Sequence, residues 1–284
     1  MAQPFGSNDR SSGAPDRRGQ REHLPDRRPR ASAFKFMVGP GEGFVHVGEF
    51  EDGRPGEVFL RMAKQGSTLA GLTESLGLAV SIGLQFGVPL AAFGTQFVNL
   101  RFEPAGETND PEVPTATSVL DYVFRRLALD YPPEDMVTTE VPQRERLPAR
   151  RPKVVAQKFS VGAAEGFVHV GEFADGRPGE VFLRMAKQGS TLAGFTEALG
   201  IAVSLGLQYG APLRAYVKQF VNLRFEPAGI TADPDLRFAS SIVDFVFRSL
   251  AIAYLDVDDR IELGVLTTRE RSQLVTDVST KHNA

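Results

Sequence analysis

Apolar and polar residues alternate in short runs along this chain and then shift to a helical spacing, and the whole sequence of changes happens twice. "FKFMV" and "GFVHVGEF" place apolar residues at every second position, the period of a strand with one covered face. "EVFLRMA" repeats that period after "DGRPGE", where Asp52-Gly53 and Pro55-Gly56 mark a turn. Gly43–Ala63 is therefore expected to be a β-hairpin with a long turn. "STLAGLTESLGLAVSIGLQFG" follows as a helix, with Ser67 or Thr68 as its N-cap and Gly87 as its stop. Pro89 opens a second helix, "PLAAFGTQFVNL". A third, "TSVLDYVFRRLALDY", sets Leu120, Val123, Phe124 and Leu127 on one face.

The pattern recurs without a gap at an offset of 123 residues, so Phe34–Tyr131 and Gln157–Tyr254 are tandem repeats. The expected fold class is α+β: two repeats, each an antiparallel β-hairpin or small sheet followed by three helices. "GEVFLRMAKQGSTLAG" is unchanged between Gly56–Gly71 and Gly179–Gly194. Across the wider block Glu42–Gly71 against Glu165–Gly194 only Glu51 differs, facing Ala174, and "QFVNLRFEPAG" is also unchanged. Glu107–Tyr131 and Ile230–Tyr254 share only about half their residues. Uniform drift would scatter the changes; their clustering points to a constraint on the two conserved blocks or to homogenisation between copies. The first helix is apolar nearly all round yet carries Gly71, Gly77 and Gly83, matched by Gly194, Gly200 and Gly206. Each glycine costs roughly 1 kcal/mol against alanine in a helix interior. Close backbone packing against the repeat's own sheet and the other repeat would offset that cost, so the copies are expected to pair as an intrachain pseudo-dimer.

Outside the repeats, Met1–Ala33 is rich in Arg, Pro, Gly and Ser and is expected to be a disordered tail. Pro132–Ala156 is expected to be a Pro/Arg-rich linker, and residues 255–284 a weakly helical tail. The 284 residues carry a net charge of −3, which creates no global basic field. No run of eighteen apolar residues predicts a membrane span, and Met1–Ala33 lacks the apolar stretch of a signal peptide, so a cytoplasmic location is expected.

The chain contains no cysteine, which excludes disulfides, thiolate metal sites, cysteine nucleophiles and thiyl radicals on these residues. None of its four histidines, His23, His46, His169 and His282, has a second histidine at metal-ligand spacing. No catalytic residue and no metal ligand is assigned. The anion- or nucleotide-binding candidates are Lys64, Gly66, Ser67 and Thr68, with Lys187, Gly189, Ser190 and Thr191 in the second copy. Each set puts a lysine and a glycine before a helix N-terminus, without the spacing of a P-loop. The partner-surface candidates are Arg101, Glu103, Arg224 and Glu226, where each arginine is expected to pair with the glutamate two residues on. His46 and His169 are expected to be packed in their strands, and Asp121 and Asp244 to be solvated on the polar side of the third helix. The arginines of the tail and of "RERLPARRPK" offer contacts to nucleic acid, with no aromatic residues interleaved.

"EGFVHVGEFEDGRPGEVFLRMAKQGSTLAG", "AVSIGLQFGVPL", "FVNLRFEPAG" and "VLDYVFRRLALDY" together resemble the TSCPD domain. More narrowly they are similar to the version near the C-terminus of adenosylcobalamin-dependent (class II) ribonucleotide reductases. The resemblance covers both repeats. It implies a place in deoxyribonucleotide supply, in a family of ribonucleoside-diphosphate reductases whose cobalamin-generated thiyl radical forms on a barrel cysteine. No position here matches that barrel or its cysteines, so the chain alone is expected to be inactive and to bind no cofactor. Adenosylcobalamin would enter only through a reductase partner. Some TSCPD relatives carry cysteines near the turn occupied here by Gly66-Ser67 and Gly189-Ser190, which argues against redox chemistry at that turn. Three readings stay open: an accessory or regulatory module of a class II reductase, an independent nucleotide- or nucleic-acid-binding module, and a structural scaffold.

Overall fold

A computed structural model describes residues 19–26, 30–132, 143–151, 153–185 and 190–273. Each repeat opens with a three-stranded antiparallel meander: β1 (Ala31–Val38), β2 (Gly41–Glu49) and β3 (Pro55–Met62) in the first, and β6 (Val154–Val161), β7 (Ala164–Glu172) and β8 (Pro178–Met185) in the second. The long helix α1 (Thr68–Gln85) and the shorter α2 (Leu90–Phe97) follow, then a two-residue ladder of β4 (Gly106–Glu107) with β5 (Thr115–Ala116), then α3 (Val119–Asp130). The second repeat gives α4 (Thr191–Gln208), α5 (Leu213–Phe220), β9 (Gly229–Ile230), β10 (Phe238–Ala239) and α6 (Ile242–Tyr254), and adds a short α7 (Val257–Glu262). The α+β class and the two-repeat plan hold; the β4–β5 and β9–β10 ladders were not anticipated.

Helix α1 starts and stops as its sequence requires. Ser67 caps it by accepting from Ala70 N at 3.2 Å. Gly87 follows the last turn at φ +85°, a conformation that favours glycine. The helix then lies along the free edge of β3, where unpaired backbone groups need partners. Ser81 Oγ accepts from Val58 N at 2.8 Å and donates to Val58 O, and Gln85 Nε2 donates to Gly56 O at 3.0 Å. Gly77 permits this approach, since a Cβ there would sit 2.6 Å from Val58 O. Ser204, Gln208 and Gly200 repeat the arrangement on β8.

The two long helices pack on each other, and the apolar core runs continuously through both repeats. The contacts are reciprocal. A Cβ on Gly71 would fall within the ring of Phe225, and a Cβ on Gly194 within the ring of Phe102. Each phenylalanine comes from the opposite repeat, so the expected pseudo-dimer is realised within one chain. Helix α4 is long and apolar enough to cross a membrane by length and composition, with a mean hydropathy of 1.2, but 67% of it is buried inside the protein as a core helix.

The repeat begins upstream of the expected boundary. The tail through Ala33 was expected to be disordered, yet β1 begins at Ala31, and Arg21 and Glu22 dock on the end of α1. Arg21 Nε donates to Gln85 Oε1 at 2.8 Å and Glu22 N to Gln85 O at 2.8 Å. Arg144 and Glu145, inside the expected linker, make the same two bonds to Gln208. Leu24 and Leu147 lie over Gly56 and Gly179. A polar segment is thus ordered by a few specific bonds and one leucine packed over a glycine.

Candidate functional site

The turn between β3 and α1 carries Lys64 and Gly66 exposed, with Gly66 at φ +83° in open space. Ser67 is spent on the N-cap and Thr68 is the first residue of α1. In the second copy Ser190 caps α4 by accepting from Ala193 N at 3.2 Å, and Thr191 opens the helix. Lys187 and Gly189 lie outside the described residues.

The other candidate block follows α2. Asn99 takes φ +65°, tolerable for asparagine, and its N–H donates to Asp121 at 2.8 Å. The extended run after it buries Phe102 and turns Arg101 and Glu103 outward. The expected pairing of Arg101 with Glu103 is not formed: Glu103 accepts from Ala105 N at 3.2 Å, and Glu226 accepts from Ala228 N in the same way. Each glutamate turns instead onto the backbone N–H two residues on, and the intervening phenylalanine is buried. Among the described residues neither Arg101 nor Arg224 has an ion-pair partner.

Sequence treated these two blocks separately, and the fold joins them across the repeats. Glu226 N donates to Gly66 O at 3.1 Å, next to the packing of Phe225 on Gly71. Lys64, Gly66 and Ser67 of one repeat thereby share a surface with Arg224 and Glu226 of the other. Phe102 on Gly194, with its ring 5.2 Å from that of Phe195, marks the symmetry-related seam.

Two further expectations are corrected. Asp121 and Asp244 are enclosed rather than solvated, at 1% and 0% exposure. Each ties the turn before its helix to the turn after α2 or α5 through backbone N–H donors. His46 is exposed and His169 half-buried, because both stand on the outer face of their sheets. That face is the larger feature the sequence reading missed. The register sets Lys35, Phe44 and Arg61 in one row and Ala33, His46 and Phe59 in the next. Phe44 is 48% exposed and Phe59 54%. Phe167, His169, Phe182 and Arg184 reproduce the face in the second repeat, with His169 stacked on Phe167 at 6.2 Å. The alternation carried the signal: it places apolar residues on both faces of β2 and β3.

A cleft of about 560 Å³ in the first repeat lies between β1 and α3, lined by Ser32, Glu49, Tyr122, Arg126 and Tyr131 among others. Its polar groups are occupied by one another. Tyr131 donates to Glu49 at 2.7 Å and Tyr122 to Asp110 at 3.1 Å, while Arg126 bonds Asp110, Glu112 and Asp130. Burial pushes both tyrosine hydroxyls up to about 12, so they stay protonated donors. The network braces β1 against α3 and offers no free nucleophile or base.

The TSCPD domain matches residues 17–131 and again 139–254. The chain is 53% identical over 132 residues to a vitamin B12-dependent ribonucleotide reductase of Streptantibioticus cattleyicolor, covering 46% of this chain and 22% of that protein. A protein of the same description from Streptomyces avermitilis is 53% identical over 132 residues, covering 46% and 14%. One from Rhodopirellula baltica is 46% identical over 118 residues, covering 42% and 11%. The chain thus spans under a quarter of the length of these relatives. No solved structure matches it.

Proposed function

This chain belongs to the TSCPD domain family, and from that premise we propose that it is a non-catalytic accessory or regulatory module of ribonucleotide reduction in the cytoplasm, which docks on a class II reductase. The observation that carries the reading is the duplicated outer sheet face. Phe44, His46, Phe59 and Arg61 recur as Phe167, His169, Phe182 and Arg184 within the block that differs at one position between copies. The internal core does not need large apolar side chains held in water, and exposed apolar patches of this kind mark interaction surfaces. The relatives that share the domain are reductases, which makes a reductase the occupant this reading commits to.

The chemistry stays with the partner. These 284 residues include no cysteine to carry a thiyl radical or supply electrons. In this reading the chain binds no adenosylcobalamin itself, and the cofactor enters only through the reductase partner. The chain alone is expected to turn over no ribonucleotide, with or without that cofactor.

The test is a titration of the chain into a class II reductase from the same genome, with co-purification and ribonucleotide turnover as readouts. Association and a changed rate are expected, both lost on combining Phe44→Ala, Phe59→Ala, Phe167→Ala and Phe182→Ala. Neither association nor a change of rate at saturating protein would overturn the proposal.

A further inference from the structure

A second cleft, of about 450 Å³, lies in the second repeat between the β9–β10 ladder, α6 and the segment after α7. Its size falls in the range of small-molecule sites. Three guanidinium groups line it, those of Arg237, Arg248 and Arg271, together with Ser240, Thr268 and the aromatic ring of Phe238. Among the described residues no carboxylate lines it. Arg248 is paired with the buried Asp244 at 2.7 Å, so Arg237 and Arg271 carry the positive charge left uncompensated among the described residues, and a bound anion would offset it.

The arginines differ in how far they are committed. Arg248 spends Nε on Asp244 at 2.7 Å and one terminal nitrogen on Asn222 at 2.6 Å, which fixes its plane. Arg271 donates to Asp235 O at 2.9 Å. Arg237 is exposed; its backbone carbonyl accepts from Thr231 N at 3.1 Å, while its guanidinium has no hydrogen-bond or ion-pair partner among the described residues. Two guanidiniums are therefore held in position with N–H groups to spare, and one is free to close on a ligand. Such forks suit phosphate oxygens. Phe238 stands 59% exposed opposite Ile230, itself 79% exposed, in the β9–β10 register. That pair offers a flat apolar platform beside the cationic group.

Among the described residues the site exists in the second repeat alone. At the offset of 123 residues, Arg237 and Phe238 correspond to Pro114 and Thr115, and Arg271 and Thr268 come from the segment beyond the second repeat. Arg125, the counterpart of Arg248, is turned onto Thr115 O at 2.8 Å instead. The segment is locked in place by Arg260, which bonds Glu270 through both terminal nitrogens, and by Thr268, whose N–H and hydroxyl reach Asp235 and Pro234.

We propose that this cleft is a nucleotide site, with the phosphates of a nucleoside di- or triphosphate held by Arg237, Arg248 and Arg271 and its base against Phe238. The assignment is independent of any reductase partner.

Calorimetric titration of the full chain with ATP, CTP, inorganic tripolyphosphate and adenosine tests it. The triphosphates should bind, more weakly as salt rises, and adenosine should not. Arg237→Ala and Arg271→Ala should each weaken ATP about tenfold, and Phe238→Ala should weaken ATP about fivefold while leaving tripolyphosphate unchanged. Lys218→Ala, which removes an exposed cation on α5, should change nothing. The Arg237 side chain bonds no described residue and Arg237→Ala keeps the backbone bond to Thr231, so its variant reports on binding even if Arg271→Ala loosens the segment. The proposal is overturned if ATP does not bind, if Lys218→Ala costs as much as Arg237→Ala, if tripolyphosphate matches ATP with Phe238→Ala silent, or if a single-stranded oligonucleotide displaces ATP at far lower concentration.

Discussion

Asp244 has 0% exposure and three donors: Asn222 N at 2.7 Å, Ser240 N at 2.8 Å and Arg248 Nε at 2.7 Å. Removing the carboxylate would leave two backbone N–H groups and a guanidinium without an acceptor. Asp244→Ala should cost about 3–5 kcal/mol, the range for breaking a buried charged pair. Asp121 holds only the two backbone donors closely, with Arg125 at 3.7 Å. Asp121→Ala should therefore cost less than Asp244→Ala, and urea unfolding of the two variants would rank them. A helical wheel puts both aspartates on the polar side, and periodicity alone cannot tell a solvated carboxylate from one that bridges loops. The local sequence did hold a cue. Ser118 and Ser241 accept from the N–H of Asp121 and Asp244 three residues on, and serine followed at that spacing by an acid is a helix-start signature.

Among the elements, the segment after α7 is held by the Arg260–Glu270 pair together with the Thr268 and Arg271 bonds to residues 234–235. Arg260 is only 7% exposed, and Glu270 bonds it while accepting from Thr267 N at 2.9 Å. The Arg260 hydrogen bonds, then the Thr267 N–H, hold the Glu270 carboxyl at about 2, down from 4.5. A lowered carboxyl contributes stability that is fully present above its unfolded value and lost as pH falls through its folded one. Docking of this segment should thus hold at pH 5 and weaken progressively between about 4.5 and 2. Pepsin cleavage within residues 263–273 should accelerate over that window, and Glu270→Gln should abolish the step by loosening the segment at every pH. The same clamp carries Thr268 and Arg271 into the arginine cleft, so Glu270→Gln should also weaken ATP. The strands and long helices were legible because period and caps are local properties. The docked segments at Arg21 and Arg144 were less so, since their composition is that of a tail. Extending the offset of 123 upstream would have exposed them, as "QREHLPDRRPR" matches "QRERLPARRPK" residue for residue at most positions.

Across the whole molecule, the interface between repeats follows from glycine. Three glycines in each long helix signalled close approach, and the structure divides their roles: Gly77 and Gly200 admit their own sheet edge, while Gly71 and Gly194 admit a phenylalanine from the other repeat. Which surfaces pair was not legible, because "NLRFEP" names no partner; only the fold brings Phe225 over Gly71 and Phe102 over Gly194. This exchange makes each repeat complete the core of the other, so heat or urea should unfold the chain in one transition seen alike by all probes. Phe102→Ala and Phe225→Ala each remove a ring that is 5% exposed, and each should cost about 3–5 kcal/mol. Because both rings lie in the seam rather than within one repeat, the double variant should also uncouple the halves. Its unfolding curve should broaden or split, whereas Phe36→Ala and Phe159→Ala, inside the separate sheets, should lower the midpoint and keep a single transition. A seam double variant that stays sharply two-state with an unchanged m-value would show that α1 and α4 hold the repeats together without the two rings.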